Sequence, residues 1–131
     1  MSRVTSLIAL AAVAAAPSPP TPLQRDLAGY ATASCFAALP QPLLRKQGER
    51  WAGAVIQRGH GAIEAWASLA RAVTKELKRT GLDQGLGDGP DSAPTPLPVM
   101  TCGEITARPA VRAAMAQAAK ALAKDYVATT R

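Results

Sequence analysis

The most regular pattern of apolar and polar positions lies between Ala62 and Arg79. Apolar residues recur there at gaps of three and four, which is the spacing of one face of an α-helix. The apolar positions are Ile63, Trp66, Ala70, Val73 and Leu77, and the polar positions opposite them include Glu64, Ser68, Arg71, Lys75 and Lys78. The pattern predicts an amphipathic helix whose apolar stripe lies in the core.

A first helix is predicted over residues 22–38. Thr21, Pro22 and Gln24 have the form of a capping box with proline at the first helical position. The sequence "LPQP" at residues 39–42 ends this helix, because the residue before a proline is pushed out of the helical conformation. Helical spacing connects Leu23, Leu27 and Tyr30, and then either Ser34 or Cys35.

Two more helices are predicted, which gives four in total. One begins near Leu43 and runs to the sequence "RGHGA", where two glycines flank His60 and indicate a turn. The other begins at Pro109. Their stripes are Leu44, Trp51 and Val55 in the former, and Val111, Met115, Ala118, Leu122 and Tyr126 in the latter. The sequence has no runs of β-branched residues, so we expect one all-α domain, a small bundle of about four helices.

Residues 79–98 interrupt the helical pattern. This segment carries four glycines, four prolines and three aspartates, and it has neither a helical nor a strand period. A loop of about 20 residues within a compact domain is uncommon, and such loops are usually functional or disordered. The sequence therefore predicts one long Gly/Pro-rich loop, either a functional element or a linker without a role of its own.

The N-terminal residues 1–14 have the pattern of a secretory signal peptide. Arg3 supplies a positive charge, a run of small apolar residues follows, and prolines come next. The alternatives are a membrane anchor or a buried helix, but the run is shorter than the roughly 20 apolar residues of a membrane-spanning helix. Cleavage is expected after Ala14, or within residues 14–20, which leaves an exported domain over residues 21–131.

The distribution of charge argues against nucleic acid as a partner. The formal net charge is +6, but the basic residues are spread over several segments instead of forming a run. The chain has five aromatic residues, and they do not alternate with basic residues as in a base-stacking surface. No later segment is long and apolar enough to cross a bilayer, so we expect no membrane insertion of the mature protein.

The two cysteines, Cys35 and Cys102, allow three interpretations. Two cysteines in an exported domain of this size usually pair, which predicts a Cys35–Cys102 disulfide. Either cysteine with His60 could instead form a catalytic nucleophile and base, although neither has a local catalytic signature. Cys, His and Met side chains could also bind copper(I), although they lack close paired spacing. The sequence favours the disulfide, a protein that is not an enzyme, no cofactor or metal, and an exposed His60.

Several features together resemble a known family. They are the export signal, a cysteine late in the first helix within Tyr30–Cys35, a glycine-punctuated segment running into Ile63–Trp66, and Met100–Cys102 ahead of a final helix that ends in Lys124–Tyr126. This pattern resembles the periplasmic immunity proteins of type VI secretion amidase effectors. The resemblance implies a small helical protein, often a homodimer, that binds a cognate secreted cysteine peptidoglycan amidase in the periplasm and occludes its active-site cleft.

Two surfaces are candidates for that contact. Occluding a cleft requires a projecting element on a rigid scaffold, so the first is the loop at residues 79–98. Its aspartates could meet a cationic imidazole in the partner, or could instead cap turns within the loop. The second surface is the polar face of the helix at residues 62–79. The candidate contact residues are Leu82, Asp83, Gln84, Leu86, Asp88 and Asp91 in the loop, and Glu64 and Arg71 on the helix.

A function of another class also fits the sequence. An exported helical module could bind a small ligand or metal, or could serve as an envelope assembly or stress factor. An amidase encoded beside this gene would favour the immunity interpretation over this alternative.

Overall fold

The structure, a computed structural model, describes residues 12–128. Residues 1–11 of the predicted signal peptide lie outside this range. Residues 12–20 have no regular secondary structure and are exposed. Within the described range, no helix combines the length and the apolar character needed to cross a membrane.

Helices make up most of the described chain, and the all-α prediction is confirmed. In chain order they are α1 (Pro22–Ala37), α2 (Pro42–Arg58), α3 (Ile63–Thr80), α4 (Pro98–Gly103) and α5 (Pro109–Ala128), with a 3-10 turn at Ile105–Ala107. Four of the five are long, as predicted, and α4 is a short helix that the sequence pattern did not indicate. Two short strands, β1 (Gln84–Gly85) and β2 (Thr95–Pro96), pair between α3 and α4.

The start of α1 has the predicted capping box. The backbone N–H of Thr21 donates to Oε1 of Gln24 at 2.8 Å, and the backbone N–H of Gln24 donates to Oγ1 of Thr21 at 3.2 Å. These two bonds satisfy donors that a helix otherwise leaves without partners at its N-terminus. Helices α2, α4 and α5 also begin at a proline, whose fixed φ suits the first helical position.

Helix α1 is central and packs against α2, α3 and α5. Its contact with α2 is close at Gly48, where an added Cβ would collide with the backbone of Ala33 and Ala37. Contacts between side chains of Asp26, Arg58 and Tyr126 join the start of α1 to the ends of α2 and α5. The other end of α1 carries Cys35 and contacts α4, so the bundle has two chemically different ends.

The core lies where α1, α3 and α5 meet. It contains Leu27, Tyr30, Ala31, Cys35, Trp66, Leu69, Val73, Cys102, Ile105, Val111, Ala118 and Leu122, among others. The rings of Tyr30 and Trp66 meet edge to face with their centroids 5.2 Å apart. The predicted stripes are largely confirmed, but Ile63 is exposed because it is the first residue of α3, at the end of the bundle. Trp51 of α2 is also exposed, because α2 packs mainly against α1.

The predicted disulfide is present. Cys35 and Cys102 are bonded, their Cα atoms are 5.4 Å apart, and both residues are fully buried. The bond links the last turn of α1 to α4, across 67 positions of sequence. Because α4 directly follows the segment predicted as a long loop, the disulfide fixes the point where that segment returns to the core.

Candidate functional site

The segment between α3 and α4 forms a β-hairpin whose base is hydrogen-bonded to α4. The sequence predicted instead a loop without regular structure. Strands β1 and β2 pair antiparallel, with Gln84 opposite Pro96 and Gly85 opposite Thr95. The side chain of Leu97 packs over Gly85, where an added Cβ would lie 3.1 Å from Cδ1 of Leu97. We call residues 82–97 the hairpin and residues 86–94 its tip.

The chain leaves α3 through Gly81, whose φ is +68°. The backbone N–H of Gly81 donates to the carbonyl of Leu77 at 2.8 Å and closes the last turn of α3. A positive φ is readily adopted by glycine and strained in other residues, so Gly81 sets the direction in which the hairpin departs.

Thr101 of α4 holds the base of the hairpin. The backbone N–H of Asp83 donates to Oγ1 of Thr101 at 2.9 Å, and that hydroxyl lies 3.0 Å from both Oδ2 of Asp83 and the carbonyl of Leu97. The backbone N–H of Leu97 in turn donates to the carbonyl of Asp83 at 2.8 Å. Since Thr101 is fully buried and next to Cys102, the disulfide and these bonds fix the hairpin base together.

Charged side chains surround the same base. Nη2 of Arg108 lies 3.5 Å from Oδ2 of Asp83, and its Nη1 donates to the hydroxyl of Thr80. Glu76, which is 3% exposed, accepts two hydrogen bonds from Arg79 at 2.7 and 3.0 Å. The hydrogen bond from Arg79 holds the pKa of Glu76 below its ordinary value although burial acts in the opposite direction. The carboxylates of Glu76 and Asp83 are therefore engaged within the protein.

The tip of the hairpin presents apolar and acidic groups to solvent. Leu86 is 84% exposed, and Asp88 and Asp91 are also exposed. The turn is closed by Ser92, whose hydroxyl donates to the carbonyl of Asp88 at 3.1 Å. The carboxylates of Asp88 and Asp91 form no ion pair with any residue between 12 and 128. The carboxylates of Asp88 and Asp91 are therefore available at the tip to contact a binding partner.

Two further apolar side chains are exposed next to the hairpin. Val99 and Met100 belong to the first turn of α4, directly after β2, and are 59% and 47% exposed. Exposed apolar groups clustered on one part of a surface are typical of protein–protein contact sites. This first turn of α4 extends the candidate surface from the tip to the hairpin base.

The six loop residues predicted as contacts lie on one hairpin but in different environments. Leu82 packs against the core, and Asp83 is bound to Thr101 and Arg108. Both therefore have structural partners at the hairpin base. The other four are exposed: Gln84, Leu86, Asp88 and Asp91.

The second predicted surface, on α3, is exposed and internally paired. Nη2 of Arg71 lies 2.7 Å from Oε1 of Glu64 and 2.9 Å from the hydroxyl of Ser68. Surface ion pairs of this kind contribute little to stability. Glu64 lies away from the hairpin, because it is in the first turn of α3 and the hairpin follows the last turn, and Arg71 lies halfway along α3.

The sequence left open three roles for the cysteines, and the disulfide argues against two of them, catalytic nucleophile and metal ligand. A thiolate is needed both for nucleophilic attack and for metal binding, and neither sulfur is a thiol in this structure. Over residues 12–128, no three or more His, Cys, Asp or Glu side chains are grouped so as to hold a metal ion.

The other end of the bundle holds a polar cluster that the sequence did not identify as a site. Oδ2 of Asp26 accepts a hydrogen bond from the hydroxyl of Tyr126 at 2.7 Å, and Oδ1 accepts one from Nε of Arg58 at 3.0 Å. The ring of His60 lies edge-on to Tyr126, with centroids 5.2 Å apart. His60 is half-buried, so the prediction of an exposed imidazole is wrong, because the turn folds back onto α5.

That turn is shaped by Gly61. Its φ is +91°, and an added Cβ would collide with Leu122 and Asp125 of α5. The carbonyl of His60 accepts a hydrogen bond from Nε1 of Trp66 at 3.3 Å, which joins the turn to the core. The turn is therefore held on both sides, and His60 is kept against α5.

Tyr126 and Asp26 also influence each other electrostatically. Burial raises the pKa of Tyr126 above its ordinary value, and the hydrogen bond to Asp26 and the charge of Asp26 raise it further. A backbone hydrogen bond at His60 and the charge of Arg58 lower it by less. The hydroxyl therefore stays protonated and continues to donate to Asp26 at neutral and mildly alkaline pH.

Comparisons of the chain with models of protein families, with curated proteins and with solved structures found no significant match. The likeness to amidase immunity proteins thus rests on the sequence features given above. The hairpin and the polar cluster at the opposite end are the two sites from which a function can be argued.

Proposed function

We propose that this protein is an immunity protein that binds and inhibits a secreted cysteine peptidoglycan amidase in the periplasm. In this proposal the hairpin enters the active-site cleft of the amidase and blocks access to peptidoglycan. The protein acts as a binding partner and not as a catalyst. A signal peptide over residues 1–14 and a homodimer belong to the same proposal.

The observation that carries the proposal is a projecting hairpin whose base is fixed and whose tip is exposed. The disulfide at Cys102 and the hydrogen bonds of Thr101 hold the base. A segment that is already ordered loses less conformational entropy on binding than a flexible one, so more of its contact energy contributes to affinity. This is the property expected of an element that inserts into a cleft.

The chemistry of the tip suits the active site of a cysteine amidase. Such a site pairs a thiolate with a histidine, and the imidazole is cationic while the thiolate is present. Asp88 and Asp91 bring negative charge on a protein whose formal net charge is +6. Leu86 supplies an apolar anchor for a desolvated pocket.

The disulfide itself supports an exported location. Disulfides persist in oxidising compartments such as the bacterial periplasm and are rare in the cytosol. This protein has two cysteines and uses both in one buried bond. The periplasm is also where a peptidoglycan amidase meets its substrate, so inhibitor and target would share a compartment.

Co-expression with the amidase encoded beside this gene tests the proposal. The amidase is directed to the periplasm of a host cell with or without this protein, and lysis is followed by culture turbidity. We expect the wild-type protein to prevent lysis. Continued lysis in its presence, or the absence of an amidase gene beside it, would rule the proposal out.

Matched variants then distinguish the two candidate surfaces. The triple variant Leu86→Ser, Asp88→Asn, Asp91→Asn keeps the length of the hairpin and should lose protection. The double variant Glu64→Gln, Arg71→Gln alters only the exposed face of α3 and should retain it. The reverse result would move the contact from the hairpin to α3.

A further inference from the structure

We propose that an open pocket at the end of the bundle opposite the hairpin binds a small carboxylate with an apolar body. The pocket lies where the start of α1 meets the ends of α2 and α5, and its volume is about 690 Å³. Pockets of roughly 300–1,000 Å³ are typical of small-molecule sites. This proposal is independent of amidase inhibition.

The walls of the pocket are apolar and its charged groups are basic overall. Its apolar lining includes Pro22, Leu23 and Ala123. Among residues 12–128, its charged lining residues are Arg25, Arg58 and Asp26, and these two arginines and one aspartate together carry one net positive charge. A ligand with one negative charge and an apolar body complements this arrangement.

Asp26 orients Arg58 and leaves part of its guanidinium for a ligand. The carboxylate of Asp26, whose side chain is 11% exposed, binds Arg58 through Nε alone, while the Arg58 side chain is 60% exposed. The Nη1 and Nη2 groups of Arg58 make no hydrogen bond with any residue of the described range. Two such groups match the two oxygens of a carboxylate, which arginine binds bidentately.

Arg25 is placed where helix stability alone would disfavour it. It lies in the first turns of α1, near the positive end of the helix dipole, where a cation is unfavourable. Arg25 forms no ion pair with an acidic residue in the part of the chain described here. Binding of an anionic ligand would explain why Arg25 places a second guanidinium at the rim of the pocket.

The pocket is remote from the hairpin. Helix α5 begins at Pro109, which follows the hairpin-base residue Arg108, and its last turns line the pocket through Ala123 and Tyr126. Twenty helical residues span about 30 Å. A ligand in this pocket therefore leaves the hairpin tip uncovered, and the two sites can be tested separately.

Titration calorimetry with decanoate, below its micelle concentration, tests the proposal. We expect one molecule of decanoate to bind per chain, and decanol, which has the same alkyl chain without the charge, to bind about tenfold more weakly or worse. An acetylated leucine tripeptide with a free carboxyl terminus is the second probe, and comparison of the two affinities distinguishes an alkyl from a peptide source of the carboxylate. Equal binding of decanoate and decanol, or no binding of either carboxylate probe, would overturn the proposal.

Substitution of Arg25 locates the site. Arg25→Gln should weaken carboxylate binding about tenfold and leave thermal unfolding nearly unchanged, since the side chain is exposed. Arg45→Gln removes an exposed arginine of α2 at the other end of the bundle and should leave binding unchanged. If Arg25→Gln binds decanoate as tightly as the wild type does, the carboxylate is not held in this pocket.

Discussion

The backbone N–H of Asp83 donates to Oγ1 of Thr101 at 2.9 Å, and the same hydroxyl lies 3.0 Å from Oδ2 of Asp83. This contact joins residues 18 positions apart, on either side of the hairpin. It connects the hairpin to α4 next to the disulfide. The rigidity that the proposed inhibition requires therefore depends in part on this buried hydroxyl beside a covalent link, together with the bond from the N–H of Leu97 to Asp83 and the ion pair of Asp83 with Arg108.

The variant Thr101→Val tests this contact. Valine keeps the shape of threonine but removes the hydroxyl, so the N–H of Asp83 loses its acceptor. We expect the free energy of unfolding to fall by about 1–3 kcal/mol, and amide exchange at the hairpin to increase. Denaturant unfolding and hydrogen exchange measure the two effects.

Thr74→Val is the matched control. Its hydroxyl donates only to the carbonyl of Ala70, within its own helix, at 3.0 Å. We expect a loss of less than about 1 kcal/mol and unchanged exchange at the hairpin. Equal effects of the two substitutions would contradict a specific role of Thr101 in fixing the hairpin.

Loss of the disulfide should destabilise the whole domain. The cysteines are 67 positions apart, and closing a loop of that length corresponds to about 4 kcal/mol of unfolding free energy. The double variant Cys35→Ala, Cys102→Ala is expected to lose about that amount in denaturant unfolding. A reductant should destabilise the wild type and leave the variant unaffected, and a loss below about 1 kcal/mol would contradict the predicted contribution.

The two tyrosines of the chain predict an alkaline loss of stability. Burial raises the pKa of both Tyr30 and Tyr126, whereas an unfolded tyrosine ionises near pH 10. The unfolded chain therefore releases these protons first, so stability is fully present below about pH 10 and declines as the pH rises above it. Absorbance titration of the folded protein should show both tyrosines ionising at higher pH than they do in the unfolded chain.

The variant Tyr126→Phe separates the two groups. It should remove half of the absorbance change and leave the part that belongs to Tyr30. Because the carboxylate of Asp26 loses its donor, we also expect unfolding free energy at neutral pH to fall by about 1–3 kcal/mol. Unchanged stability at neutral pH would show that the hydrogen bond from Tyr126 to Asp26 does not stabilise the fold.

The helices and the disulfide could be predicted because their signals are local or compositional. The capping box at Thr21 lies within four residues, and the apolar spacing of α3 repeats over several turns. The cysteine count together with the predicted export signal sufficed to predict the pairing of Cys35 and Cys102. Each of these inferences required no knowledge of which helices are neighbours.

The hairpin could not be predicted because tertiary contacts form it. Its ladder has two residues per strand and includes a glycine and a proline, both of which disfavour strands. Helix α4 has six residues, too few to display an apolar period. Contacts of Thr101 and Leu97 stabilise both elements, and neither contact has a local signature.

The polar cluster at the other end was missed for a related reason. Asp26 and Tyr126 are 100 positions apart, so their hydrogen bond leaves no trace in local spacing. One signal was available, since Asp26 lies three residues after Leu23 and directly before Leu27, on the apolar side of α1. An acidic residue at such a position requires a partner when it is buried.

The most direct test of the proposed function is inhibition of a purified cysteine peptidoglycan amidase, which we propose is encoded beside this gene. The inhibition constant is measured for the wild type and for the triple variant Leu86→Ser, Asp88→Asn, Asp91→Asn, with circular dichroism to confirm that both are equally helical. We expect the wild type to inhibit and the variant to be weaker by about a hundredfold, as is typical when central contact residues are removed. Inhibition by the variant within about threefold of the wild type would contradict the role of the hairpin, and no inhibition by the wild type would contradict the function itself.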